Sequence, residues 1–247
     1  EISRAEVADT GELIDWIADQ HWCDGRVATN GRSYTANTML HSLSTGPSAL
    51  KLGVGRAPDF DVYRHLLAPG GVINRWFIDV WGALTSAQDA NDVIALKKGG
   101  RWNVPAEVAE NVLGVRPVDE DTNGELLALA IAEHINNFNL TSVSHKLTFI
   151  SNDLLIHSNS YDYQNDIEQG NIPVVIRCGW HDATTALGAL TMFASFHNPM
   201  RVTLGPWNHA GDLRVDPFQA GDGRQAEVIP MEDEFGLIAN SLDAVFK

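Results

Sequence analysis

Apolar and polar positions follow two rhythms along this chain. Between Thr10 and Gln20, Leu13, Trp16, Ile17 and Gln20 recur at three- and four-residue spacing, with Glu12, Asp15 and Asp19 on the other side, which predicts a helix. Asp9 or Thr10 can cap it, and acids in its first turn suit the helix dipole. A turn follows at Cys23-Asp24-Gly25. Short strands are predicted at 26–30 and 50–54. Between them, Gly31 to Ala36 reads as a sharp turn, with a helix running on from Tyr34 to Leu43. Strand, turn, helix, strand is the order of a parallel α/β sheet.

From about Asp59 to Gly170 strand signals fade and helical ones dominate. Trp76, Phe77, Val80 and Trp81 form an apolar stripe at helical spacing. A second helix is predicted over 125–136, with Leu126, Leu127, Leu129 and Ile131 on broad apolar faces, while 98–103 and 117–124 read as connections. The first rhythm then returns. Residues 172–178 form an apolar, β-branched run, 184–196 a helix, 200–204 a short strand, 211–224 a Gly- and Asp-rich loop, and 235–246 a final helix. The expected organisation is an α/β core in two parts, 1–58 and 171–247, split by a mainly helical insertion over 59–170.

Composition narrows the class. The chain has 247 residues, 44% of them hydrophobic, enough for one sizeable core or a core with a smaller lobe. A formal net charge of −15 repels phosphate backbones and anionic bilayers, which argues against nucleic-acid and membrane partners. No apolar run approaches the ~18 residues of a membrane span. Two cysteines, Cys23 and Cys178, imply no disulfide framework and read as reduced, mostly buried thiols. No signal peptide is visible at Glu1, and a cytoplasmic location is the expectation. The oligomeric state has no signature. Asn139-Leu140-Thr141 fits a glycosylation acceptor, but so common a tripeptide reads as chance.

Three short motifs carry chemistry. Gly31-Arg32-Ser33-Tyr34 lies between a strand and a helix, where a nucleophile elbow would sit. Gly-x-Ser alone is very weak, since a Ser there can simply cap an ordinary helix. Gly179-Trp180-His181-Asp182 follows a buried-strand pattern, and carboxylates at strand carboxyl ends are placed for catalysis in open parallel sheets. Asp182 could equally cap the helix that follows. Gly205-Pro206-Trp207-Asn208-His209 again follows a short strand, and His209 alone could be a surface or core residue. Together the three are stronger. Their order is Ser, Asp, His, the order of α/β-hydrolases, and each would project from one sheet edge. The stretch between Ser33 and Asp182 is far longer than adjacent βα units need, and the helical block accounts for the excess.

These residues resemble the cocaine-esterase and X-prolyl dipeptidyl-peptidase family of serine hydrolases. The likeness runs through Trp16-Ile17, Trp22-Cys23-Asp24-Gly25 and Gly31-Arg32-Ser33-Tyr34, then Ile172-Pro173-Val174 and Gly179-Trp180-His181-Asp182, then Leu204 to His209. The pairing of Gly-Trp-x-Asp with Gly-Pro-Trp-x-His is quite specific; the match is loose in the helical block. The resemblance implies an α/β-hydrolase fold with a partial parallel sheet and a helical cap. It implies Ser33 as nucleophile, Asp182 as acid, His209 as base and the Tyr34 backbone N–H as an oxyanion-hole donor. It places Trp81, and with it Trp76 and Phe77, near an acyl pocket, although plain helix packing explains those three as well.

Departures bear on the elbow. The general elbow has Gly two residues after the Ser, where this chain has Thr35, and the family carries Gly at the next position, where this chain has Ala36. Ala is small enough for the turn to survive. The family's strands before the elbow and its C-terminal β-sandwich are absent from this sequence, so the chain is expected to be the middle of a longer enzyme. The expected chemistry is hydrolysis of a small-molecule ester, amide or short peptide through an acyl-enzyme, with no metal or organic cofactor required. An ester or acyl-amide hydrolase is favoured over an X-prolyl dipeptidyl-peptidase, because no amine-binding carboxylate cluster can be placed. A non-catalytic α/β-hydrolase-like binding module is the remaining alternative.

Overall fold

Four short runs, three of them rich in Val, Leu and Ile and the first carrying only Val27, pair side by side as parallel strands. They are β1 (Val27–Arg32), β2 (Leu50–Arg56), β3 (Val174–Gly179) and β4 (Met200–Gly205), in the sheet order 1-2-3-4. The register runs Gly31 against Gly55, Val54 against Val175 and Gly179 against Gly205, every pair parallel. All four carboxyl ends therefore lie along one edge. This is a computed structural model, and it describes residues 3–98, 110–134, 159–214 and 227–247.

Helices cover both faces. Among the described residues the α-helices, in chain order, are α1 (Arg4–Ala18), α2 (Tyr34–Ser42), α3 (Arg75–Asp89), α4 (Val93–Lys98), α5 (Glu125–Glu133), α6 (Gln164–Gly170), α7 (Thr185–Ser195) and α8 (Met231–Phe246). Those on the sheet are α2, α6 and α7 on one face and α8 on the other. Alternation along β3 shows the layering. Val174, Ile176 and Cys178 face a large core with Met39 and Leu40 of α2, Leu43 just past its end, Ile167 of α6 and Ala189 and Met192 of α7. Val175 instead packs with Leu52, Val54 and Ile238 of α8 on the other face. Sheet strands buried on both faces are what parallel pairing requires. A two-residue antiparallel pair, Leu213–Arg214 with Glu227–Val228, lies outside the main sheet.

Chain contacts divide the molecule into two compact units, Glu1–Gly71 with Ser151–Lys247, and Val72–Ile150. Phe60 and Ile167 are core residues of the first. Within the second, Ile78 and Val80 of α3 are buried, and Asp121 caps α5 by accepting from the N–H groups of Leu126 and Leu127 at 3.1 and 2.9 Å.

Several predicted elements shift. Helix α1 starts at Arg4, because Ser3 caps it by accepting from the Glu6 N–H at 3.1 Å; neither Asp9 nor Thr10 is the cap. Its buried stripe is Val7, Gly11 and Ile14, while Leu13 and Trp16 are 58% exposed. Helix α3 likewise buries Ile78 and turns Trp76 outward. In both, a smaller or β-branched side chain fits the inward position and the largest apolar residue lies outside it. Strands β1, β2 and β4 each extend past their predicted last residue, and β3 begins at Val174. Leu126 and Leu129 of α5 are exposed. Residues 99–103, the end of the helix expected at 125–136, Asn139-Leu140-Thr141 and most of the loop at 211–224 lie outside the described residues. Both cysteines are free thiols, Cys178 buried and Cys23 partly so.

Ile176→Ala, which empties a fully buried site, is expected to cost about 2–5 kcal/mol of unfolding free energy. Leu13→Ala on the exposed side of α1 is expected to cost no more than about 0.5 kcal/mol. Urea unfolding of both variants checks the pair, and a large loss at Leu13 would contradict the face assigned to α1.

Candidate active site

The end of β1 turns abruptly into α2 at Ser33, whose backbone sits at φ 58° and ψ −128°. A non-glycine residue there is strained, and such strain persists only where neighbours over-determine it. The neighbours are identifiable. The Ser33 N–H donates to the Arg56 carbonyl of β2 at 2.9 Å, and the Ser33 carbonyl accepts from Ala36 and Asn37 at 2.8 and 3.1 Å. Thr35 clamps the turn through its hydroxyl, accepting from the Arg32 N–H at 2.9 Å and donating to the Arg32 carbonyl at 2.8 Å. A Cβ on Gly31 would lie 2.1 Å from the Thr35 carbonyl oxygen, so this position admits only glycine. The sharp turn survives with Thr35 and with Ala36, which is fully buried. Tyr34 is the first residue of α2, placing its N–H in the helix's opening turn beside Ser33, while its phenol donates to the Glu6 carboxylate at 3.1 Å.

The end of β3 places Asp182 just before α7, with its side chain only 7% exposed. One carboxylate oxygen meets the His209 Nδ1 at 2.8 Å, and the other accepts from the Thr185 hydroxyl at 2.9 Å. His209 comes from the loop after β4, which folds back over the sheet edge. The Trp180 N–H donates to the Gly205 carbonyl at 2.8 Å, and the His181 N–H to the Trp207 carbonyl at 3.1 Å. A Cβ on Gly179 would lie 2.0 Å from the Trp207 carbonyl oxygen, so the loop can lie this close only over glycine. The Arg177 guanidinium stacks on the Trp207 ring at 3.9 Å. Asn208 braces the loop's far side, its side-chain Oδ1 accepting from the Gly211 and Leu213 N–H groups at 3.0 and 3.2 Å. Beyond His209, the Ala210 carbonyl accepts from Arg32 at 3.3 Å, so the residue before Ser33 touches the residue after His209.

His209 is half-exposed. Its hydrogen bond to the Asp182 carboxylate raises its pKa above the ordinary value; partial burial works the other way, the charges of Asp182 and Asp59 add to the rise, and Arg32 opposes it. Cys178, behind this edge, has its thiol pushed up to about 12 by burial and is held neutral.

Asp59 is absent from the sequence-based site. It lies three residues past the end of β2, as Asp182 lies three residues past the end of β3. Asn37 of α2 holds it, accepting from its backbone N–H at 2.7 Å and donating to its carboxylate at 3.4 Å. Burial pushes its carboxyl up to about 6, with Asn37 and His209 pulling it down and Asp182 pushing it up. An acid at a strand's carboxyl end was the available signal.

Trp76, Phe77 and Trp81 lie on α3 in the second unit, where Phe77 and Trp81 stack with centroids 5.8 Å apart. His181 is exposed and takes no part in the Asp182–His209 pair. Among the described residues, no group of three or more His, Cys, Asp or Glu side chains converges to hold a metal ion.

Comparison with known proteins gives a consistent result. The family described as X-Pro dipeptidyl-peptidase (S15 family) matches residues 1–211. A protein of Mycobacterium bovis named as a serine esterase is 30% identical over 89% of this chain, which covers 38% of that relative. The cocaine esterase of a Rhodococcus species is 24% identical over 82% of the chain and 34% of its own length. A CocE/NonD family hydrolase from Staphylococcus aureus has a similar structure, with a TM-score of 0.53 and 18% identity over 82% of this chain and 28% of its own. The fold is that of the α/β-hydrolases, and the chain spans less than two fifths of the curated relatives it matches.

Gly179→Ala is expected to push the His209 loop off the sheet edge and cost about 1–3 kcal/mol, as overpacking against backbone does. Gly236→Ala in α8, where a Cβ meets nothing within 4 Å, is expected to be neutral or to stabilise by up to ~1 kcal/mol. Thermal unfolding of the two variants checks the contrast, and equal effects would contradict the tight loop.

Proposed function

The chain belongs to the X-Pro dipeptidyl-peptidase (S15) family, and from that premise we propose that it carries the catalytic core of a serine hydrolase acting on carboxylic esters or acyl amides. The observation that carries this reading is the 2.8 Å bond between His209 and Asp182, at the sheet edge where Ser33 occupies a strained turn.

The steps follow from what each group can do. Ser33 Oγ attacks the substrate carbonyl while His209, through its Nε2, takes the hydroxyl proton. Asp182 accepts from Nδ1, fixing the tautomer that leaves Nε2 free to act as base, and stabilises the imidazolium. The Thr185 hydroxyl occupies the second carboxylate oxygen and fixes the carboxylate's rotation. The Tyr34 N–H stabilises the oxyanion, a contribution of about 3–4 kcal/mol for one well-placed donor. The imidazolium then protonates the leaving alcohol or amine. Water repeats the sequence on the Ser33 ester, releasing the acid and restoring the hydroxyl.

Two substrate classes have specific support. Relatives named as a serine esterase and a cocaine esterase favour esters, while the family's description favours peptides with proline in second place. We favour the ester or acyl-amide class. Comparing an acyl-4-nitrophenol with an Xaa-Pro anilide separates the two. The role of the 59–170 block as a cap, and of Trp81, Trp76 and Phe77 in an acyl pocket, stays part of this proposal on the resemblance alone.

In the protein at its full natural length, Ser33→Ala is expected to reduce activated-ester hydrolysis by about 10⁴-fold or more with the fold intact, and Asp182→Asn to reduce it by a similar factor. Because Asp182 raises the His209 pKa, the acid limb of wild-type kcat/KM is expected above pH 6.5, with activity falling as pH drops through it. Steady-state rates on a panel of 4-nitrophenyl esters test this; a Ser33→Ala variant as fast as wild type would end the assignment.

A further inference from the structure

We propose that Asp59 is a positioning residue for His209, a second carboxylate whose charge joins that of Asp182 in holding the imidazole ready as a base. The inference rests on the serine-hydrolase reading above and deepens it, since it concerns the same site.

Placement comes first. In the sheet order, β2 lies between β1, which ends at the Ser33 elbow, and β3, which leads to Asp182. The chain leaving β2 turns at once. Ala57 takes a φ of 49°, and its N–H donates to the Arg177 carbonyl of β3 at 2.9 Å. Ala57 also lines the small cavity that His209 borders together with Cys178 and Gly179. The base thus lies over the ends of β2 and β3, next to the turn that carries Asp59.

That turn is held at both ends. Asn37 grips the Asp59 backbone and carboxylate from the first turn of α2, close behind the elbow. Two residues on, Asp61 caps the helical turn Val62–Leu67 by accepting from the Arg64 N–H at 2.8 Å, and the Val62 N–H donates to Asn159 at 2.9 Å. A carboxylate tethered in this way loses little freedom when it serves another group, which is what a positioning role requires.

The charges complete the picture. The groups acting on His209 are Asp182 from the turn after β3, Asp59 from the turn after β2 and Arg32 from the end of β1, which opposes them. Those acting on Asp59 are Asn37, His209 and Asp182. Arg56 and Arg177 border the same cavity, and the Cys178 thiol beside it is neutral. With its carboxyl raised to about 6, Asp59 is charged at neutral pH and above and gains a proton as pH falls through that value. The sign follows. Above about 6, two carboxylates favour the imidazolium that forms as Ser33 loses its proton; removing Asp59's charge lowers the His209 pKa and weakens it as a base.

Asp59→Asn tests this in the full-length protein, because Asn keeps the shape and an oxygen acceptor for Asn37. The readout is the pH profile of kcat/KM on 4-nitrophenyl acetate from pH 5 to 9. The acid limb is expected to move to lower pH by about half a unit or more, and the plateau to fall about three- to tenfold. Asp59→Ser, checked by circular dichroism for native fold, is expected to shift the limb in the same direction. A limb unmoved in a folded variant, whatever the loss of rate, would mean that Asp59 only supports the loop and would overturn the proposal. A Ser33→Ala control separates the two questions. If it retains wild-type activity, the hydrolase reading itself fails; if it is inert while Asp59→Asn leaves the limb in place, only the role of Asp59 fails.

Discussion

The hydrogen bond between His209 Nδ1 and Asp182 Oδ1, 2.8 Å long, joins the loops that follow two neighbouring strands. It is possible only because β3 and β4 run parallel and in register, with Gly179 opposite Gly205. Parallel register brings both loops out at one edge, and the loop after β4 must then fold back across that edge. The stack of Arg177 on Trp207, the backbone bonds from Trp180 and His181, and the brace through Asn208 all serve that fold-back. Remove the register and an imidazole half-exposed to water would have no fixed carboxylate, so neither its tautomer nor its direction would be set.

The cost of this arrangement is concentrated at few places. Ser33, Ala57 and Ala183 all take positive φ without being glycine, and each follows closely on β1, β2 or β3. Strain of roughly 1–3 kcal/mol per residue is typical of such positions and needs surrounding bonds to hold it. At Ser33 the bonds are the Arg56 carbonyl and the Thr35 hydroxyl; at Ala57, the Arg177 carbonyl. The core beneath supplies the rigidity. Ile176 and Met192, on β3 and α7, are fully buried in the core that packs on the sheet. On the proposed reading of Ser33 as nucleophile, a turn that its neighbours over-determine keeps the hydroxyl's direction through a reaction cycle, and that is the use the proposal gives the strain.

Much of this is legible in the amino-acid sequence. The apolar, β-branched runs gave the strands, and the order of Ser33, Asp182 and His209 gave one edge, because period and turn chemistry are local properties. The inward faces of α1 and α3 were not readable in the same way. In α1 the contact residue is Gly11, which carries no hydrophobic signal, and in α3 Ile78 is chosen over Trp76 by shape rather than polarity. Asp59 was missed for a topological reason. Its turn matters because β2 lies between β1 and β3, and the lateral order of parallel strands depends on long-range packing that no local pattern encodes. In the sequence it looked like the first residue of the helical block.

The central claim is that Ser33 is an activated nucleophile, and its chemistry can be read without knowing the substrate. A fluorophosphonate reacts with a serine hydroxyl only when a neighbouring base and oxyanion donors activate it. Incubating the full-length protein with such a probe, then mapping the adduct by peptide mass spectrometry, is expected to place a single phosphonyl group on Ser33, with labelling lost in His209→Ala. No adduct on Ser33, or an adduct there that forms equally fast without the imidazole, would contradict the account.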